Sequence, residues 1–97
     1  MANKYVVLVN FTDQGIRTVT ESVKRAQASI STFDKYGAKK IAQYWTMGAH
    51  DIVIVLEAPN DEAAMKGLLA IGKLGNVRTT TLRAFSADEM AGVTAGL

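Results

Sequence analysis

The chain holds one histidine, His50, and Asp51 follows it directly. An imidazole is the side chain most readily tuned for proton transfer near neutral pH, so a His/acid pair is the first place to look for chemistry. Adjacent residues in a turn point apart, however, and no serine or cysteine nucleophile signature accompanies the pair. Turn chemistry alone gives His50-Asp51 a hairpin role, with the Asp51 carboxylate accepting backbone N–H bonds. A metal site wants several convergent nitrogen, oxygen or sulfur ligands, and one histidine amid scattered carboxylates does not supply them, so no metal is expected. A lone histidine can be an axial haem ligand, but nothing else in the sequence supports haem, and no cofactor is expected. Tyr44 and Trp45 are successive residues of one strand and point to opposite faces, one toward the core and the other toward a cleft or an interface. The ligand-binding candidates are Asn10, Trp45, His50 and Asp51; no residue is assigned a catalytic role. Arg78 and Arg83, five positions apart on a strand, face opposite ways and are not expected to form one anion clamp. Gly72-Lys73-Leu74-Gly75-Asn76 follows a helix, whereas phosphate loops precede one, and reads as a helix end and turn.

Trp45, His50 and Asp51 are carried by residues 41–58, two apolar strands joined through Gly48-Ala49-His50-Asp51. The second of them has no polar face from Ile52 to Leu56 and must be covered on both sides. Residues 4–11 (KYVVLVNF) are likewise apolar on both alternating faces and predict a buried central strand. Ile16, Val19, Val23, Ala26, Ile30 and Phe33 then recur at helical spacing, which predicts one inward stripe. The weak helix formers from Thr18 to Ser22 predict a restart there, capped by Thr20 or Ser22, and Gly37 suits the helix end. Pro59 stops the second hairpin strand, Asn60 caps a helix whose inward stripe is Ala64, Leu68 and Ile71, and residues 76–85 suit an edge strand. Ser86 to Glu89 has the capping-box spacing of a short last helix, with a fraying tail from Ala91 to Leu97.

The order is βαββαβ plus a short C-terminal helix, a ferredoxin-like α+β arrangement with a four-stranded antiparallel sheet and two helices on one face. In that topology the first and third strands are central, and these are the two that are apolar on both faces. Two helices cover only one face of the sheet, so an apolar second face predicts a homo-oligomer with another subunit against it. Residues 1–97 read as one domain. Eleven Lys/Arg against nine Asp/Glu leave a net charge of +2, too small and too scattered to imply nucleic acid. The chain has no cysteine, no secretory-type N-terminus and no apolar run near the roughly 18 residues that span a bilayer, so a cytoplasmic protein without membrane partners is expected.

Tyr5 to Ile16, Tyr44-Trp45-Thr46-Met47-Gly48, Asp51-Ile52-Val53 and Leu74 to Thr79 together resemble the GYD-domain family over nearly the whole chain. Gly48 and Asp51 fit the Gly-Tyr-Asp-like element, while His50 stands where the family pattern has tyrosine, and Val23 replaces an expected proline. The resemblance implies the dimeric α/β-barrel group, whose ferredoxin-like protomers pack sheet to sheet, and it implies no agreed activity. The function expected is a small self-associating binding or assembly module of unknown ligand. The alternative is a small-molecule enzyme with a pocket between sheet and helices, built on Asn10, Trp45, His50 and Asp51.

Overall fold

A computed structural model describes residues 2–97. In chain order the elements are β1 (Asn3–Phe11), α1 (Asp13–Arg17), a 3-10 turn (Val19–Glu21), α2 (Ser22–Lys35), β2 (Lys39–Trp45), β3 (Ile52–Ala58), α3 (Asp61–Gly72), β4 (Val77–Ala84) and α4 (Ala87–Thr94). The strands form one antiparallel sheet in the order β2-β3-β1-β4. The two strands without a polar face are therefore the central ones, as the pattern predicts.

Alternation along the central strands divides the sheet into two unlike faces. Tyr5, Val7 and Val9 of β1 and Ile52, Ile54, Leu56 and Ala58 of β3 are buried under α2 and α3, where Phe33, Ala64 and Leu68 complete the core. The register sets Val6 opposite Val55 and Leu8 opposite Val53 on the other face. Leu82 of β4 stands beside Val6, and Ala42 and Tyr44 of β2 stand beside Val55 and Val53. Val6, Leu8, Val53 and Val55 stay half-buried, and Leu82 and Tyr44 are exposed.

The helices depart from the expected stripe in an instructive way. Ile16, Val19, Val23 and Ile30 are exposed, whereas Phe33 is buried as the stripe predicts, together with Ser22 and Ser29. The 3-10 turn takes Ile16 and Val19 out of phase with α2. Within α2 the packed face centres on Ser22, Ser29 and Phe33, which leaves Val23 and Ile30 on the flank over β2. The restart itself lies where the sequence puts it, but neither Thr20 nor Ser22 caps it; Glu21 precedes α2 without a side-chain cap. The Ser22 hydroxyl accepts the Trp45 indole N–H at 2.9 Å. Ala64, Leu68 and Ile71 do turn inward on α3. Between Ala64 and Leu68 comes Gly67, where a Cβ would lie 2.7 Å from Phe33 Cδ1, so a glycine lets α2 and α3 approach.

Asn60 accepts the Ala63 N–H, and Ser86 and Glu89 form both bonds of a capping box. That box extends α4 through Thr94, so most of the tail expected to fray is helical. The 72–76 segment is the helix end and turn expected of it, with Gly75 at φ 90. Its carbonyls at Leu74, Gly75 and Asn76 accept bonds from Gln14 and Thr12, which ties α1 to the start of β4. Among the described residues no helix is long and apolar enough to cross a membrane.

Candidate functional site

Pairing of β1 with β3 brings residues about forty apart in sequence into one cluster at the end of the sheet. Asp51 N–H donates to the Val9 carbonyl at 2.8 Å, and the Asp51 carboxylate accepts the Phe11 N–H at 2.8 Å. The carboxylate thus prolongs the ladder past the last strand pair, the hairpin role that turn chemistry predicts. Thr46 closes the hairpin by donating its N–H to the Asp51 carbonyl and its hydroxyl to the His50 carbonyl. Gly48 makes the bend with φ 104, in the left-handed region that glycine alone enters without strain.

The Asn10 side-chain amide donates to the Ala49 carbonyl at 2.8 Å, so its oxygen faces His50 Nδ1, 2.9 Å away. An amide oxygen only accepts, and this network therefore assigns the proton of a neutral His50 to Nδ1 and leaves Nε2 as an acceptor. Asn10, His50 and Asp51 are thereby brought together. Trp45 is not: it pairs with Ile52 on the helix side of the sheet, whereas Asn10 lies on the other face. Neither member of the aromatic pair is a core residue, since Trp45 is 44% and Tyr44 65% exposed. Among the described residues no three His, Cys, Asp or Glu side chains converge. The cluster holds a hairpin in shape, and its one threonine hydroxyl, that of Thr46, is bonded to the His50 carbonyl.

Two grooves run along the sheet edges on the helix side. The one between α2 and β2, about 350 Å³, is lined by Val23, Ile30, Ile41 and Trp45 together with Lys40 and Gln43. Several of its polar groups are engaged: the Lys40 ammonium donates to the Ala26 carbonyl at 2.8 Å and to Gln43 Oε1 at 2.5 Å, and the Trp45 indole donates to Ser22. Burial holds the Lys40 pKa below its ordinary value.

The groove between α3 and β4, about 460 Å³, has Met65 and Leu69 on the helix side and Thr79 and Thr81 on the strand side. One end is closed by the Tyr5 phenol, which donates to Asp61 Oδ1 at 2.5 Å. Burial first, and the bond to Asp61 second, raise the Tyr5 pKa above that of a free phenol. Arg83 lies over the Tyr5 and Phe85 rings, donates to the Lys4 and Ala84 carbonyls and to Asn3, and approaches Glu89 at 4.0 Å. Arg78 sits in register with Asn10, whose side chain belongs to the uncovered face, so the two arginines do leave the strand on opposite sides. Its guanidinium nevertheless curls around the edge: a Cβ on Gly72 of α3 would lie 3.1 Å from Arg78 Nη1. Both arginines therefore line one groove, but Arg83 is engaged and Arg78 has no hydrogen-bond or ion-pair partner among the described residues. Sequence reasoning missed the Tyr5–Asp61 pair and the reach of Arg78. The one available signal was a phenol on a strand that is otherwise apolar, which needs a polar partner once buried.

Comparison with known proteins adds a match of the GYD domain family to residues 5–93. The chain belongs to the GYD family. This GYD protein is 28% identical over 87 residues to a Thermus thermophilus protein named glutamine synthetase and cystathionine beta-lyase binding protein, covering 89% of the chain and 92% of the relative. Its fold is similar to that of TTHA0845 from Thermus thermophilus, with a TM-score of 0.56 at 23% identity over 88% of the chain and 95% of the other. It is also similar to MtbAldR, with a TM-score of 0.67 at 13% identity; there the match covers 87% of this chain but spans only 52% of MtbAldR. These likenesses establish the ferredoxin-like fold.

Proposed function

We propose that the chain is a protein-binding module that works as a self-associated assembly in the cytoplasm and takes metabolic enzymes as its partners. The observation that carries self-association is the open sheet face, where Val6, Leu8, Val53, Val55 and Leu82 are contiguous through the strand register and stay half-buried or exposed among the described residues. A stable interface buries about 800 Å² per partner, and apolar burial contributes roughly 25 cal/mol per Å² before the cost of association. For a domain of this size that contribution is comparable with the whole stability margin.

The relative named for binding glutamine synthetase and cystathionine beta-lyase supports enzymes as partners. The cysteine-free composition supports a reducing compartment. An enzymatic role through Asn10, Trp45, His50 and Asp51 has less support, because the four do not share a cleft and three of them are bonded into a hairpin. Biosensor titration of the purified chain against a bacterial glutamine synthetase and a bacterial cystathionine beta-lyase tests the partner reading. Saturable binding to either is the expected result, and flat responses to both at tens of micromolar would count against it.

A further inference from the structure

The α3–β4 groove brings together a cation, two hydroxyls and an apolar wall that the protomer leaves without partners. Thr79 and Thr81 stand in register with Val9 and Val7, so both side chains rise on the helix side of the sheet and form one wall. Neither hydroxyl has a hydrogen-bond partner among the described residues. Met65 and Leu69 form the other wall, each 56% exposed, beside the buried Leu68. At the last residue of α3, Gly72, the missing side chain makes room for the Arg78 guanidinium, whose Nη1 would lie 3.1 Å from a Cβ there. Arg83 also lines the groove, but its acceptors at Asn3, Lys4 and Ala84 and the rings of Tyr5 and Phe85 already hold it. Arg78 is thus the one unpaired cation in the groove among the described residues. From Met65 to Gly72 the helix rises about 10 Å, which is the length of wall that ends at that guanidinium.

We propose that the α3–β4 groove binds a small amphipathic monocarboxylate, with its carboxylate on Arg78 and Thr79 and its aliphatic chain laid along Met65 and Leu69. A guanidinium presents a planar fork that meets a carboxylate with two parallel N–H···O bonds. Thr79, the next residue of the strand, adds a hydroxyl donor. One free guanidinium balances one negative charge, and the carbonyl end of α3 beside it repels a second, so a phosphate dianion is the poorer occupant. The chain covers apolar surface that Met65 and Leu69 now give to water, and the flexible methionine adapts to its shape. A ligand held by side chains uses none of the backbone groups of β4. The site is therefore compatible with a second copy on the open sheet face, and it goes beyond the protein-binding reading without depending on it.

The test titrates butyrate, hexanoate, octanoate, octanol and octyl phosphate into the 15N,13C-methyl-labelled full chain, followed by NMR. Octanoate should shift the Met65, Leu68 and Leu69 methyls and the amides of residues 78–81 to saturation, and affinity should rise with chain length from butyrate to octanoate. Octanol, which lacks the charge, should bind about tenfold more weakly. Arg78→Met should bring octanoate down to the affinity of octanol and leave octanol itself unchanged, a pattern that a merely structural arginine would not produce. Leu69→Asn, at an exposed helix position, should weaken both ligands. Equal affinities of octanoate and octanol for the wild type would overturn the proposal. So would shifts confined to Val6, Leu8, Val53 and Val55, or octanoate binding indifferent to Arg78→Met. Octyl phosphate binding more tightly than octanoate would overturn the assignment to a monocarboxylate. The enzyme titrations above do not enter this test, so the two readings fail separately.

Discussion

One sheet carries two apolar faces here, and only one of them is finished. Under the helices, Val7 and Leu56 are fully enclosed, Phe33 fills the space beneath Gly67, and among the described residues no buried side-chain polar atom is left without a partner. On the other side, valines and leucines of the same strands stay half-open with only each other for company. Residue type does not separate the two faces, since Val53 and Ile54 are chemically alike. What separates them is that the helices cover one face and leave the other half-open.

The difference can be broken from the core side with the largest effect. Ile54→Asp buries a charge with no partner, and we expect a loss of about 3 kcal/mol or more and no cooperative thermal transition, read by circular dichroism. Gly67→Ala is next: its methyl meets the Phe33 ring, which is locked in the core, so overpacking should outweigh the gain in helix propensity and cost roughly 1–3 kcal/mol in a urea titration. Gly48→Val should cost about 1 kcal/mol or more although nothing lies within 4 Å of the added carbon, because the strain is in the backbone. An unchanged denaturation midpoint would show that the hairpin does not need φ 104.

The smallest effect concerns α4, which buries nothing and depends on its cap. The Ser86 backbone N–H, and then the Ser86 hydroxyl, hold the Glu89 carboxyl below its ordinary pKa. A carboxyl depressed in the folded state contributes stability above its unfolded pKa and loses it as pH falls through the folded value. Acidification below pH about 4.5 should therefore weaken hydrogen-exchange protection in α4 before the sheet responds, and Glu89→Gln should remove that pH dependence.

Much of this architecture was legible because two strands lacked a polar face and fell at the two central places of the βαββαβ order. The same property hid which face was which: when Val6 and Val7 are both apolar, alternation carries no parity, and only the packing of Tyr5 against Asp61 and of Leu56 under Phe33 assigns it. The helical stripe was right at Phe33 and misread elsewhere. A three-residue 3-10 turn takes Ile16 and Val19 out of phase with α2. Ser22 and Ser29 hid that the packed face of α2 is centred on them, with Val23 and Ile30 on the flank over β2. At the candidate site, turn chemistry was enough to give Asp51 its role. The His50–Asn10 bond and the Tyr5–Asp61 bond join residues 40 and 56 apart, and spacing along the chain has no bearing on contacts made through the sheet register.

The central claim is that the open face is closed by a second copy, and multi-angle light scattering of wild type and Val53→Asp at micromolar concentration tests it most directly. Val53 points away from the helices, so its aspartate should leave the protomer folded and abolish the contact. The account predicts twice the protomer mass or a higher multiple for wild type, and a folded single protomer for Val53→Asp. A wild-type chain that runs as a monomer would contradict it.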